Sequence, residues 1–103
     1  VGGPMAMAWQ VPLKKIQWVM DVNFYGTVHS IQSFLPSMLE DNQQRYIVNI
    51  ASMAGFYTAP YLSAYEAAKH AVIAWTEALY HDLKTRQSNM VISLVNPGWV
   101  NTN

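Results

Sequence analysis

The sequence predicts an α/β fold, as part of a doubly wound parallel sheet, and three observations lead to it. Residues 45–52 contain a short run rich in β-branched and aromatic side chains, and residues 90–95 form a second apolar run before a Pro-Gly pair. Between them, residues 64–86 repeat apolar side chains at intervals of three and four, which indicates an amphipathic helix. A strand, a helix and a strand form a βαβ unit, so we expect parallel neighbouring strands with a right-handed crossover. Because both strands are almost continuously apolar, helices should cover both faces of the sheet.

The segment before the first strand is expected to be a loop followed by a long helical region. Residues 1–10 contain two glycines and a proline, which predicts a loop. Pro12 suits a first helical turn, and residues 13–40 are largely helical in pattern. Asn23 interrupts this pattern and Pro36 removes a backbone donor. The sequence therefore predicts one or two kinks, or a break near Asn23.

The helix after the first strand has a start signal and two distinct sides. Residues 55–62 include a proline and predict a loop. Ser63 and Glu66 then have the spacing of a capping box, which would make Ser63 the N-cap and Glu66 its reciprocal partner. The apolar stripe expected to face the core consists of Ala68, Val72, Trp75, Leu79 and Leu83. The wetter side consists of His70, Glu77, His81 and Lys84.

Composition limits both the size of the domain and the kind of partner. The chain has 103 residues, of which 51% are apolar and 12% are charged, against about 25% charged in an average soluble domain. A chain of this size cannot readily bury this much apolar surface. We therefore expect residues 1–103 to form a partial domain. The net charge is zero and the basic residues are dispersed, which argues against nucleic acid or an acidic membrane as partner. The sequence shows no membrane-spanning run and no leader pattern, so a cytoplasmic location is expected.

The histidines and the absence of cysteine predict no metal site. His29, His70 and His81 occur singly on helical patterns. His70 and His81 lie four residues after Glu66 and Glu77, a spacing typical of solvated helix pairs. Neither a second ligand at metal-binding spacing nor a thiolate is available.

One short stretch holds a hydroxyl, a phenol and an ammonium that could meet at one substrate oxygen. Tyr65 and Lys69 are four residues apart, so on a helix they share a face, one turn from each other. A neighbouring ammonium and the positive end of the helix dipole both favour a phenolate, which suits Tyr65 to general acid–base chemistry. Ser52 follows the first strand and could hydrogen-bond the same oxygen. Ligands in such sheets bind beyond the carboxyl ends of strands, where Ser52 and residues 96–102 both lie.

A Tyr-x-x-x-Lys pair by itself is a weak signal, because an ordinary surface helix with a half-buried Tyr and a solvated Lys also carries it. Three further blocks accompany it here. In order, the four blocks read Asn-Phe-Tyr-Gly (23–26), Asn-Ile-Ala-Ser-Met-Ala-Gly (49–55), Ser-Ala-Tyr-Glu-Ala-Ala-Lys (63–69) and Asn-Pro-Gly-Trp-Val-Asn-Thr (96–102). In order and spacing they resemble the short-chain dehydrogenase/reductase family, in its single-domain, Rossmann-like branch. The resemblance runs from about Trp18 to the C-terminus.

The resemblance implies a role for each matching residue. It implies that Tyr65 exchanges a proton with the substrate oxygen and also contacts the cofactor, and that Ser52 orients that oxygen. It implies further that Lys69 holds the nicotinamide ribose of NAD or NADP. Asn23 matches the Asn that keeps a kinked helix and a water near the Lys. From the residues alone, Asn23 is equally a helix-interrupting Asn that satisfies a freed backbone group. The segment that contacts the nicotinamide is matched by Pro97, Gly98, Val100 and Thr102, although alone it would predict only a turn after a strand.

Other parts of the family pattern are not found in these residues. The Gly-rich turn that receives the pyrophosphate and the residue that chooses NAD or NADP are both missing, as is the substrate-covering region beyond Thr102. We therefore expect the catalytic portion of a parent enzyme that moves hydride between a nicotinamide cofactor and a small alcohol or carbonyl compound. The family pairs its long helices across a dimer axis, which implies a homodimer or homotetramer. The small residues that suit such a contact are Ala64, Ala67, Ala71, Ala74 and Ala78.

Two alternatives stay open at this point. One is a non-catalytic oligomerisation or scaffold module of the same fold, against which the complete set of Ser52, Tyr65 and Lys69 argues. The other keeps the fold and the Tyr-Lys pair but performs epimerase or dehydratase chemistry. The substrate and the choice between NAD and NADP do not follow from these residues.

Overall fold

A computed structural model of the chain describes residues 3–40, 43–56, 58–86 and 88–97. Three α-helices, one π-helical segment and two strands form its main elements, with single 3-10 turns at Ala8–Gln10 and Met53–Gly55. In chain order the main elements are α1 (Leu13–Met20), a π-helical segment (Asp21–Tyr25), α2 (Gly26–Leu39), β1 (Arg45–Ile50), α3 (Ser63–Thr85) and β2 (Met90–Val95). The predicted strand, helix and strand are therefore confirmed, each within two residues of the expected bounds.

The two strands form a parallel pair, as the βαβ pattern predicts. Arg45 lies opposite Met90 and Ile50 lies opposite Val95. The pairing continues past the strand ends, because the Ala51 N–H donates to the Val95 carbonyl at 2.8 Å. The two segments that leave the sheet therefore start side by side at its carboxyl edge.

Helix α3 covers one face of this sheet. Its Val72 and Ile73 pack with Ala51 in a buried cluster, to which Leu94 of β2 also contributes. The stripe predicted for α3 agrees with this, since Ala68, Val72 and Leu83 are buried while Trp75 and Leu79 are half-buried. On β1, the alternate side chains of Tyr46, Val48 and Ile50 are 58–65% exposed. Val48 and Ile50 border an open groove of about 370 Å³ between β1 and α2.

The helical region is widened near Asn23 and not broken there. Residues Asp21–Tyr25 form a π-helical turn, and the chain remains helical from Leu13 to Leu39. Asn23 is buried, and its Nδ2 donates to the Val19 carbonyl at 2.9 Å. Because the Asn side chain satisfies a carbonyl that the wider turn releases, the helix can continue. Pro36 is also accommodated inside α2.

The predicted capping box is wrong. Leu62 is the N-cap residue, Ser63 is already the first helical residue, and no side chain caps this helix end. Glu66 is 3% exposed, and its carboxylate accepts the N–H of Ala59, outside the helix. The expected solvated pair of Glu66 and His70 is therefore also wrong. His70 instead places Nδ1 at 2.7 Å from the backbone carbonyl of Glu66.

Candidate active site

The first two turns of α3 carry the predicted proton donor and its cationic neighbour. Tyr65 is half-buried and Lys69 is 9% exposed. The Lys69 Nζ lies 5.5 Å from the centroid of the Tyr65 ring. A largely buried lysine whose ammonium lies beside a phenol that keeps some access to solvent is an arrangement able to exchange a proton with a ligand.

A second Tyr-x-x-x-Lys pair lies on the same helix and shows why position matters more than the motif. Tyr80 and Lys84 repeat the spacing, and Lys84 Nζ lies 5.9 Å from the Tyr80 ring centroid. Tyr80 is 46% exposed and Lys84 is exposed as well. The two pairs share their local geometry, whereas burial of the lysine is found only for the Tyr65 pair.

Helix α1 and the N-terminal segment hold the start of α3 in place. Val19 of α1 packs with Ala64 and Ala68 in a buried cluster, and Tyr65 lies against this cluster. A Cβ at Gly3 would lie 3.2 Å from Val19 Cγ2 and 3.6 Å from Tyr65 Cβ. The alanines on α3 and the glycine before α1 thus permit close approach around the backbone of Tyr65.

Ser52 lies just beyond β1, in a turn that rests on the same helix. The Gly55 N–H donates to the Ser52 carbonyl at 2.9 Å, which closes the Met53–Gly55 turn. A Cβ at Gly55 would lie 3.0 Å from the carbonyl oxygen of Lys69 and would overlap the Ile73 side chain. Gly55 therefore allows the Ser52 turn to contact the backbone of Lys69 directly. That the side chains of Ser52, Tyr65 and Lys69 meet at one substrate oxygen stays a prediction.

Asn23 lies on a segment that also packs against α3. The π-helical turn that contains it contacts this helix, and Phe24 packs against the Val72 and Ile73 cluster. The backbone-satisfying role of Asn23 is confirmed by its bond to Val19. Its role in holding a water near Lys69 stays a prediction. π-Helical turns are rare and occur frequently at functional sites, and this one joins α1, which packs against the start of α3, to α2.

The segment after β2 carries the residues expected to contact a cofactor. Pro97 is half-buried, and its carbonyl accepts the Met53 N–H at 3.2 Å, which ties this segment to the Ser52 turn. Gly98, Val100 and Thr102 lie outside the described residues. Asn96 is half-buried, and its Oδ1 is buried without a hydrogen-bond partner among the described residues. An acceptor of this kind at the carboxyl edge of the sheet suits a ligand that donates a hydrogen bond.

Three features of the site were not predicted from the sequence. They are the close approach at Gly55, the buried carboxylate of Glu66 and the orphaned acceptor of Asn96. A glycine shortly after Ser52 was a usable signal for the first. Within residues 3–40, 43–56, 58–86 and 88–97, no group of three His, Asp or Glu side chains could hold a metal ion. In the same ranges, no helix is long and apolar enough to cross a membrane.

Comparison with known proteins decides the family. The family described as short chain dehydrogenase matches residues 2–103 of this sequence. The chain belongs to the short-chain dehydrogenase/reductase family. The 1-deoxy-11-beta-hydroxypentalenate dehydrogenase of Streptomyces avermitilis is 35% identical over 103 residues, which cover 99% of this chain and 37% of that protein. The CLA biosynthesis dehydrogenase/reductase of Lactiplantibacillus plantarum is 30% identical over 94 residues, covering 91% of this chain and 33% of the relative.

Solved structures of the family share the fold described above. A short-chain dehydrogenase/reductase from Burkholderia phymatum, in complex with NAD, matches with a TM-score of 0.91 and 38% identity, over 96% of this chain and 35% of its own. Carveol dehydrogenase from Mycobacterium avium, also in complex with NAD, matches with a TM-score of 0.90 and 26% identity, over 99% of this chain and 36% of its own. The α/β, Rossmann-like fold class predicted from the sequence is thus confirmed. The chain spans about a third of the length of these relatives.

Proposed function

We propose that the protein containing this chain is an NAD(P)-dependent oxidoreductase that transfers hydride between a nicotinamide cofactor and a small alcohol or carbonyl compound. The observation that supports it most is the buried Lys69 beside Tyr65, on a helix start that is packed against the turn of Ser52. Similar proteins bind NAD in their crystal structures, which supports a nicotinamide cofactor here.

Each site residue has a proposed part in this reaction. The nicotinamide, when bound, gives or takes the hydride, and the chain's own residues move the proton and orient the substrate. In reduction, the Tyr65 hydroxyl donates its proton to the carbonyl oxygen, and Ser52 donates a hydrogen bond to the same oxygen. Lys69 binds the nicotinamide ribose and stabilises the phenolate that remains. Asn23 keeps a water near Lys69 that returns the proton.

The cofactor is proposed to lie across the carboxyl edge of the sheet, where the described residues offer a suitable group. Asn96 Oδ1, which has no hydrogen-bond partner among the residues that the structure describes, is proposed to accept a hydrogen bond from the cofactor there. Pro97 lies next to the Ser52 turn, because its carbonyl accepts the Met53 N–H. The remaining proposed contacts to the nicotinamide come from Gly98, Val100 and Thr102.

A homodimer or homotetramer formed through the long helices completes the proposal. Three of the five small residues on α3, Ala67, Ala74 and Ala78, are exposed. Such small side chains allow a second helix to approach closely. Light scattering coupled to size-exclusion chromatography of the full-length protein checks the subunit number, and a monomer at micromolar concentration would contradict it.

The two Tyr-Lys pairs of α3 provide a matched test of the catalytic roles. In the full-length protein, Tyr65→Phe should lower kcat by about 10²- to 10⁴-fold, because the transferable proton is lost. Its cofactor Kd should stay within about twofold of wild type, since the ring remains. Lys69→Met should weaken both cofactor binding and turnover.

Tyr80→Phe and Lys84→Met, which change the exposed pair, should leave both quantities unchanged. Turnover is followed by nicotinamide absorbance and cofactor affinity by fluorescence titration. Near-normal turnover of Tyr65→Phe would refute the assignment. Substrate conversion without net oxidation or reduction of the cofactor would favour the epimerase or dehydratase alternative.

A further inference from the structure

Glu66, the residue that follows Tyr65 on α3, is an acidic side chain that is almost completely buried. Only 3% of its surface is exposed. Both carboxylate oxygens accept the backbone N–H of Ala59, Oε1 at 2.8 Å and Oε2 at 3.1 Å. A hydrogen bond to a charged acceptor is stronger than one between neutral groups, and the nearby N-terminus of α3 favours the negative charge.

The loop that Glu66 contacts needs external support. Tyr61 has a φ of 70°, in the left-handed region that a residue with a side chain rarely adopts. The Ala6 N–H donates to the Tyr61 carbonyl at 3.3 Å, and the Glu66 N–H donates to the Leu62 carbonyl at 2.9 Å. Residues 58–62 are thus held from the N-terminal segment on one side and by the backbone and side chain of Glu66 on the other.

This loop is the connection between the two proposed oxygen-binding side chains. It follows the turn of Ser52 and leads directly into the helix that carries Tyr65. The Ser52 turn is itself fixed on α3 through Gly55 and Lys69. Residues 58–62 join directly to the first turn of α3, which carries Tyr65, whereas the Ser52 turn rests one turn later, at Lys69. A shift of residues 58–62 would therefore be passed to that first turn and change the distance between Tyr65 and the Ser52 turn.

We propose that Glu66 is a positioning residue, whose carboxylate holds Ala59 so that Tyr65 and Ser52 keep the spacing needed to share one substrate oxygen. Because this role is defined relative to Tyr65, it rests on the oxidoreductase function proposed above. The burial of Glu66 and its bond to the Ala59 N–H do not depend on that function.

The test compares three variants in the full-length protein. Glu66→Met keeps the length of the side chain and removes the acceptor. Glu66→Gln keeps one acceptor oxygen, and Glu77→Met makes the same change at an exposed position of the same helix. In Glu66→Met, kcat normalised to the concentration of cofactor-binding sites should fall about tenfold or more. The solvent deuterium isotope effect on kcat should rise, because proton transfer from a displaced phenol becomes slower.

The cofactor Kd of Glu66→Met should stay within about twofold of wild type, since Lys69 is untouched. Glu66→Gln should recover kcat to within about threefold of wild type, and Glu77→Met should match wild type throughout. Hydrogen exchange at the Ala59 amide should become about tenfold faster in Glu66→Met only, because that amide loses its acceptor.

Ala59→Pro removes the same hydrogen bond from the donor side and keeps the test valid if Glu66→Met folds poorly. The residue precedes Pro60, which already favours an extended backbone that proline accepts. Ala59→Pro should show the kcat loss of Glu66→Met, and the double variant should lose no more than either single variant.

The outcomes separate the two proposals. If Tyr65→Phe is inactive while Glu66→Met matches Glu77→Met in kcat and isotope effect, the positioning role is overturned and the oxidoreductase function stands. If Tyr65→Phe is active, the proposed function fails, and with it the role of Glu66 in catalysis. Unchanged exchange at Ala59 in Glu66→Met overturns the positioning role whatever the activity.

Discussion

A side chain at Gly55 should separate the Ser52 turn from the helix that carries Tyr65 and Lys69. In Gly55→Ala the new methyl group would overlap the Ile73 side chain and lie 3.0 Å from the Lys69 carbonyl oxygen. Ile73 can move by changing rotamer, whereas the Lys69 carbonyl belongs to the helix backbone and cannot. The turn must therefore shift away from α3. Overpacking of this kind costs about 1–3 kcal/mol of unfolding free energy.

Two further variants isolate the cause. Ile73→Val removes the terminal methyl that the new Cβ would meet, so in the double variant part of the loss should be recovered, with a coupling of about 0.5–3 kcal/mol. Gly26→Ala is the matched control. Its Cβ would meet only the Asp21 carbonyl at 3.6 Å, in an ordinary contact, and Gly26 has helical backbone angles. That variant should be stabilised by about 0.5–1 kcal/mol, because alanine favours a helix.

Urea unfolding of the full-length protein measures these differences, and steady-state kinetics measures the effect on the site. A displacement of about 1 Å at a reacting group can cost 10²-fold in rate, so the smaller shift of the Ser52 turn expected in Gly55→Ala should lower kcat by about threefold to tenfold. If Gly55→Ala keeps both the unfolding free energy and the kcat of wild type, then close packing of the Ser52 turn on α3 through Gly55 is refuted. A loss of stability without a loss of kcat would show that the turn is packed against α3 but does not position Ser52.

Two other predictions concern stability. Asn49 Nδ2 donates to Thr76 Oγ1 at 2.8 Å, and both residues are buried. Thr76→Val should therefore destabilise the full-length protein by about 1–3 kcal/mol, because a buried amide loses its acceptor. An unchanged urea midpoint would contradict this. The isolated 103-residue chain should aggregate, oligomerise or be loosely packed, since Tyr46, Val48 and Ile50 remain 58–65% exposed on a two-stranded sheet. A sharp monomeric melt in size-exclusion-purified chain, raised several degrees by NADPH, would show instead that it is self-sufficient.

The elements of the sheet could be predicted because their signals are local. A strand or helix that buries one face repeats its apolar residues at a fixed spacing, and that spacing is visible in the sequence. The apolar run that ends at Ile50 and the three-four spacing through Val72 are two such patterns. The interruption at Asn23 was predicted, but not its form. Whether a helix breaks or widens depends on how the released carbonyl is satisfied, and here Asn23 itself bonds Val19.

The predictions that proved wrong near the site, the capping box and the Glu66–His70 pair, failed because Glu66 contacts a residue outside the helix whose pattern predicted them. Ser63 and Glu66 have the spacing of a cap, yet Glu66 bonds Ala59 in the preceding loop, and the helix starts with Leu62 as N-cap. Motif spacing alone also could not choose between the pairs of Tyr65 and Tyr80. The distinction is the burial of the lysine, which depends on how α1 and the Ser52 turn pack on α3.

We propose that Ser52, Tyr65 and Lys69 act on one substrate oxygen and one cofactor. A crystal structure of the full-length protein with cofactor and a bound alcohol would test this proposal. It should show Ser52 Oγ and Tyr65 Oη both within about 2.6–3.2 Å of the alcohol oxygen, with Lys69 Nζ bonded to the nicotinamide ribose. Ser52 and Tyr65 side chains on opposite sides of the sheet, or an alcohol oxygen bound by neither, would contradict the claim.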